Sequence, residues 1–294
     1  MFAGSNLKSR TARLAVTVAA LLAVAKLAIG IWMNSVTVMA TAADSLLDMF
    51  ASVINFLSIR KAQTPPDREH PFGHGKAESL AGLFQFLAIL FTSLVLGWQA
   101  YRKLLAEGPT LYLPAGIAVL AASSVASGYV AYRLRRVGKD TESLALIADS
   151  IHYRMDVFTN VGAMAGLLII MWRQWHWVDA AISLVISVAI LAAAVRVGLR
   201  SVDELMDRNL PDETRVQIDQ ILAEFKPDII SYHNLRTRKS GSHKFIDLHI
   251  VIPADYPFGK AHRLTEEVMA RIQRRIPNSD VMIHTDPAGE ADLF

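Results

Sequence analysis

The chain has no cysteine among its 294 residues. That absence excludes a disulfide framework and every thiolate metal site, so a bound metal would have to be held by His, Asp or Glu. Charge is also scarce, with Asp, Glu, Lys and Arg at 19% of residues where an ordinary soluble domain carries about a quarter. Hydrophobic residues make up 52% and the mean hydropathy is +0.31, which excludes a disordered chain and argues against an ordinary soluble enzyme. A net charge of +3 and a pI near 9.1 leave nucleic acid open as a partner only until the basic residues are located.

What the chain does have is long apolar runs. A helix crossing a bilayer needs about 20 mostly apolar residues. Six stretches qualify, at about 12–33, 38–59, 79–100, 112–132, 143–172 and 176–197. The third and fourth hold no charged residue; the first holds Lys26, and the sixth holds Asp179 and Arg196. The fifth opens with a polar turn and is purely apolar only from Val157. Lys8, Arg10 and Arg13 lead into a full-length span with no small-residue cleavage site, so no cleavable signal is expected.

Lysine and arginine in the short loops set orientation. One side carries Lys8, Arg10, Arg13, Arg60, Lys61, Arg68, Lys76, Arg133, Arg135, Arg136 and Lys139; the other carries only Arg102, Lys103 and Arg173. Both termini are therefore expected in the cytoplasm, for a multi-pass protein of the inner (plasma) membrane. The basic residues read as topology signals in a lipid bilayer, and the nucleic-acid reading loses its support.

The character changes near Asp207, which divides an expected membrane domain (1–206) from an expected cytosolic domain (207–294). Leu210-Pro211-Asp212-Glu213 is a helix-start signal, followed by apolar positions at helical spacing over 212–225. Two alternating runs, Ile229–Lys239 and Lys244–Pro253, flank Ser240-Gly241-Ser242 and read as a hairpin. A second helix at about 260–275 and a strand at about 280–286 complete an α-β-β-α-β order.

Ionisable side chains inside a span cost roughly 2.5–3.5 kcal/mol each and mark function by default. Asp44 and Asp48 on span two are spaced i,i+4, as are His152 and Asp156 on span five, so each pair projects from one helix face. Two helices that each present two ligands can close a four-coordinate N/O site, suited to zinc and shared by iron(II), cobalt, manganese or cadmium. The competing reading is a hydrogen-bond network that only ties helices together, which two matched pairs of ligand-type residues disfavour. Depth is a difficulty. On helical rise, Asp44 and Asp48 lie roughly 9–15 Å from the outer end of span two, and Asp156 lies roughly 24 Å from that of span five. The levels agree only if span five tilts or ends before Trp172. Asp149, one turn before His152, is an extra acid without a role, and Lys26 reads as structural, by snorkelling or by pairing with an acid.

In the loop between spans two and three, Asp67, His70 and His74 can converge on one cation if the chain turns at Pro71 and Gly73; incidental loop histidines are an equal reading. In the last domain His249 lies on the strand face opposite Ile246, Leu248 and Ile250, and alternation puts His284 and Asp286 on one face. His233 and His262 are close enough in the expected fold to join them, although surface histidines are common. His176 and His243 belong to no group.

Asp44-x-x-x-Asp48, His152-x-x-x-Asp156, Phe72-Gly73-His74-Gly75-Lys76-Ala77-Glu78, Leu205-Met206-Asp207-Arg208 and Leu210-Pro211-Asp212-Glu213 together resemble the cation diffusion facilitator family, in its bacterial zinc/ferrous-iron efflux branch. The resemblance covers nearly the whole chain. It implies a homodimer with six transmembrane helices and a C-terminal α+β, ferredoxin-like (metallochaperone-like) cytosolic domain. The activity implied is proton-coupled antiport exporting Zn2+, with Fe2+ or Cd2+ as further substrates, by alternating access, H+ being the counter-ion. Asp44, Asp48, His152 and Asp156 resemble the transport site; Asp67, His70 and His74 resemble a loop site. His233, His249 and Asp286 resemble one half of a binuclear cytosolic site, with His262 and His284 the other half and Asp286 bridging. Lys76 and Asp207 resemble a salt-bridge lock that holds the dimer. An aspartate at position 44, where strictly zinc-selective relatives carry histidine, resembles the metal-tolerant branch.

Two other classes would carry different signs. A membrane-embedded metallohydrolase also places His and Asp on facing helices, but no His-Glu-x-x-His signature or nucleophile motif accompanies these acids. A sensor or scaffold that has lost transport would show broken span ligands, and these four are intact.

Overall fold

The computed structural model describes residues 2–32, 36–105, 114–173 and 177–289; the side chains of 36–44 and of a few other helical positions lie outside that description. The chain separates into two compact units, Met1–Val202 and Asp203–Phe294.

Among the described residues, six long helices build the first unit: α1 (Phe2–Trp32), α2 (Val36–Ala62), α3 (Lys76–Leu105), α4 (Pro114–Asp140), α5 (Leu144–Arg173) and α6 (Trp177–Leu205). Even the 27 residues of α2 reach about 40 Å, more than a hydrocarbon core of about 30 Å. Among the described residues, Asn6–Ile29, Lys76–Arg102 and Ala180–Leu205 are long and apolar enough to cross a membrane. The same test does not single out α2 and α5, which carry the ionisable residues of the site described below. The start of α4 falls where side chains are not described, and Tyr112, the expected start of span four, lies outside the described residues. Several helices overrun the apolar runs that announce them: α1 begins ten residues before position 12, and α4 continues past Tyr132 to Asp140. The backbone ladder has no reason to stop where the lipid-compatible stretch ends, since Arg135, Arg136 and Lys139 are sound helix formers with exposed side chains.

Small residues let these helices approach closely. Ala12, Ala15, Ala19 and Ala23 form a buried stripe on α1 at spacings of three and four. The first two pack in one cluster with Ile59 of α2 and Val130 and Leu134 of α4. Tyr153 of α5 closes that cluster, its hydroxyl donating to the Ala15 carbonyl at 2.9 Å and lying 3.2 Å from Ser52 Oγ. On α6, Gly198 sits against the Phe86 ring of α3, where a Cβ would come within 2.5 Å of Cγ.

The second unit follows the order α7 (Asp212–Ala223), β1 (Ser231–Ser240), β2 (His243–Ile252), α8 (Phe258–Arg275), β3 (Ser279–Pro287). Pro211 caps α7, and Asp212 and Glu213 occupy its first turn, where negative charge favours the helix start. The sheet order is β1-β2-β3, with β1 antiparallel and β3 parallel to β2. Gly241, at φ +60°, supplies the left-handed residue of the hairpin. Ile246, Leu248, Ile250 and Ile252 fill one sheet face and pack on Ile218, Ile221 and Leu222 of α7 and Leu264, Val268 and Ile272 of α8. The other face of β2 carries Phe245, Asp247, His249 and Val251.

Candidate functional site

The first constellation joins α2 and α5. His152 is buried, and its Nε2 lies 2.9 Å from Asp48 Oδ1. One ligand atom each from Asp48, His152 and Asp156 fall within 4.8 Å of one another. The expected levels therefore meet, although α5 stays helical past Trp172 to Arg173, so an early end to the helix is not the reason. Asp44, the fourth expected ligand, lies outside the described side chains. The close His152–Asp48 contact lacks hydrogen-bond geometry, and both ring nitrogens are without a hydrogen-bond partner among the described residues. Donor atoms that crowd without bonding one another suit lone pairs aimed at a common centre. Among the described residues, Lys26 Nζ donates to Ser45 Oγ on α2 at 2.7 Å.

The second lies in the loop from Ala62 to Lys76. Asp67 Oδ1 accepts the backbone N–H of His70 at 2.7 Å and that of Glu69 at 3.0 Å. The His70 N–H, then that of Glu69, holds the Asp67 carboxyl below the usual carboxylate range. Gly73, at φ +80°, turns the chain, its N–H donating to the His70 carbonyl at 2.9 Å. The turn brings His74 Nε2 to 3.3 Å from Asp67 Oδ2 and His70 Nδ1 to 3.5 Å from Asp67 Oδ1, with the two rings 4.6 Å apart. His74 is buried and neither ring nitrogen has a hydrogen-bond partner among the described residues. A buried imidazole with both nitrogens unmet costs free energy unless something else binds it.

The third crosses the sheet of the second unit. His233 sits opposite His249 in the β1–β2 register and His249 opposite His284 in the β2–β3 register, so three imidazoles form a row. Ring centroids along the row are 4.9 and 4.7 Å apart. Asp286, two residues beyond His284 on the same face, takes both sides of the row. Its Oδ2 lies 3.2 Å from His249 Nδ1 and 3.5 Å from His233 Nε2, while its Oδ1 lies 3.0 Å from His284 Nε2. His262 is not brought into this row; its ring stacks on exposed Phe258 at 6.2 Å, on a helix whose apolar side is committed to the opposite sheet face.

Asp207 ends α6 as a non-glycine residue at φ +56°, while the Arg208 N–H returns to the Asp203 carbonyl at 2.9 Å. Its carboxylate lies 3.6 Å from Arg238 of β1, a neighbour that no local sequence pattern announces. A second feature missed by sequence is the buried pair of Lys8 Nζ and Glu78 Oε1 at 2.8 Å, with Ser143 Oγ bonded to the other Glu78 oxygen. Lys8 reads as a topology signal because nothing near it in the chain is acidic.

Residues 12–206 match the family described as the cation efflux transmembrane domain, and residues 210–288 match the cation efflux protein cytoplasmic domain. The cation-efflux pump FieF of Citrobacter koseri is 40% identical over 96% of this chain and 93% of its own length. The FieF pump of Cronobacter sakazakii is 39% identical over 98% of this chain and 96% of its own. A solved metal-bound C-terminal domain of the CzcD transporter from Thermotoga maritima is 27% identical over 27% of this chain and 93% of that one, with a TM-score of 0.26. Relatives that are pumps along nearly their whole length set aside the metallohydrolase reading. This is a membrane transporter and not an enzyme, and the chain belongs to the cation diffusion facilitator family of cation-efflux proteins.

Proposed function

We propose that the chain is a proton-coupled antiporter that exports a divalent transition cation from the cytosol by alternating access, with Zn2+ the first substrate and Fe2+ or Cd2+ accepted in the same site. The observation that carries this reading is the meeting of Asp48, His152 and Asp156 from two helices within 4.8 Å. One imidazole and two carboxylates make a mixed N/O set, and Asp44, one helical turn before Asp48, is the natural fourth ligand. Zinc prefers four such ligands, and a set rich in oxygen donors also suits iron(II) or manganese. The relatives are cation-efflux pumps, a name that leaves the metal open.

Every ligand must shed its proton to bind metal, so protons and cation compete for the same lone pairs. In this reading the site loads when open to the cytosol, helix movement exposes it to the other side, and protons arriving there eject the metal. Asp67, His70 and His74 form a cytosolic loop site. His233, His249 and Asp286, with His284 on the second Asp286 oxygen and His262 assigned to the second half, form the regulatory site of a ferredoxin-like domain. The working unit is a homodimer, held partly by Lys76 and Asp207, with six spans and both termini on the cytoplasmic side of the inner membrane. The test is Zn2+-dependent proton flux in proteoliposomes. Asp48→Ala should abolish it, and unchanged flux in that variant would remove Asp48 from the transport site.

A further inference from the structure

Asp149 is left over by the reading above, yet it is among the most conspicuous side chains in the first unit. It is 0% exposed, and neither carboxylate oxygen has a hydrogen-bond partner among the described residues. One turn later on α5, His152 has its Nε2 against Asp48 while its other ring nitrogen, Nδ1, is buried and likewise unpartnered. Two unmet buried groups, a ring nitrogen and a carboxyl that do not touch in this structure, thus stand on adjacent turns of one helix. Cβ atoms three residues apart are about 5–6 Å from each other. Helical side chains lean toward the N-terminus, which carries the His152 ring over the turn that bears Asp149. Nε2 is the nitrogen that reaches across to Asp48 of α2, which leaves Nδ1, next to the ring's attachment point, as the one free for a partner on its own helix. The Asn55 side chain of α2 lies beside the Asp149 carboxylate. Asn55 in turn donates from Nδ2 to Gln85 Oε1 of α3 at 3.2 Å, both residues being buried.

We propose that Asp149 is the positioning residue for His152: with metal bound, its carboxylate accepts the Nδ1–H, which fixes the tautomer and aims the Nε2 lone pair at the cation. A metal-bound histidine almost always donates its second N–H to such a partner, and that partner sets ring orientation and ligand basicity. Asn55 and Gln85 extend the string across α2 and α3, so the aim of one ligand is tied to the packing of three helices. The proposal rests on His152 being a transport-site ligand and adds what holds it.

The test uses the full chain in proteoliposomes with Zn2+ alone as the cation. Asp149→Asn, nearly isosteric, should raise the half-saturating Zn2+ concentration about 10- to 100-fold while changing the maximal rate much less, as loss of such a partner does. Asp149→Glu, which keeps the anionic acceptor, should recover part of that loss. A second measurement needs no variant of Asp149. In 15N spectra of histidine-labelled protein, the signal that His152→Ala removes should, with Zn2+ bound, carry a proton on Nδ1 that exchanges slowly with water. A half-saturating concentration within twofold of the parent in Asp149→Asn, or a bare or freely exchanging Nδ1, overturns the proposal. Undiminished flux in His152→Ala would instead overturn the transport-site reading beneath it.

Discussion

At Asp67 one carboxylate does two separable things. Oδ1 caps the backbone N–H groups of Glu69 and His70, and the negative charge faces two imidazoles. Asp67→Asn keeps a carbonyl oxygen for the cap and loses the charge, whereas Asp67→Ala loses both. The asparagine variant should therefore keep slow amide exchange at His70 yet lose more than about tenfold in metal affinity at the loop, since a direct ligand matters at least as much as an outer-shell partner. The alanine variant should lose the slow exchange as well. Because the cap lowers the folded-state pKa of Asp67, its contribution is present above the ordinary value of 3.8 and is lost only as pH falls through the lower folded value. The protection factor of the His70 amide, its exchange rate relative to the intrinsic rate at each pH, should thus stay flat from pH 7 down to about pH 4. A loss of protection already at pH 6 would show that something other than the Asp67 cap orders the turn. Residue types at helical or alternating spacing were legible: Asp48, His152 and Asp156 do share one point, and His249, His284 and Asp286 share one face. Partners set by three-dimensional neighbours were not, among them Ser45 beside Lys26 and Arg238 beside Asp207.

Between elements, one buried ion pair carries an unusual share of the connections. Glu78, 2% exposed in the first turn of α3, takes Lys8 of α1 on one oxygen and Ser143, at the entry to α5, on the other. Removing one member of a buried pair strands the other charge, which costs about 3–5 kcal/mol. Glu78→Ala should therefore lower the thermal midpoint of the detergent-solubilised protein by several degrees. The double change Lys8→Met with Glu78→Leu should recover much of that loss, because no charge is then left unpaired. Equal destabilisation by the single and double variants would show that the site needs the polar atoms themselves. A different contact governs α3 against α6. At Gly198 a Cβ would lie 2.5 Å from Phe86 Cγ, at the root of the ring where it cannot swing aside. Gly198→Ala should cost about 1–3 kcal/mol by overpacking, and the added change Phe86→Leu should relieve it. These contacts join residues about 70 and 110 positions apart in sequence, so hydropathy could place the helices without saying how they touch. It also understated their lengths, because a helix continues past its apolar run wherever the next residues are good helix formers.

Across the whole molecule, clusters of side chains that could hold a metal ion occur in both compact units, and the two kinds of placement predict different consequences. Asp48, His152 and Asp156 come from two long helices whose relative movement would open and close the site. His233, His249, His284 and Asp286 come from three strands already joined by a hydrogen-bonded register. A cation in that row would bind a preformed sheet and act as a staple across it. Ligand binding to the folded state alone stabilises by about 2.7 kcal/mol at a hundred times Kd. Zn2+ should accordingly raise the unfolding transition of the second unit, and His249→Ala with His284→Ala should abolish that rise and lower the bound-metal count per chain. The same double variant should keep Zn2+ in the helical site and keep flux at saturating metal, because that site draws every described ligand from the first unit. Measuring stoichiometry, melting and flux on one preparation separates the outcomes. Flux lost together with the tail metal would mean that the sheet site is a compulsory step in transport; flux retained with a higher half-saturating concentration would make it a sensor that biases a transporter complete without it.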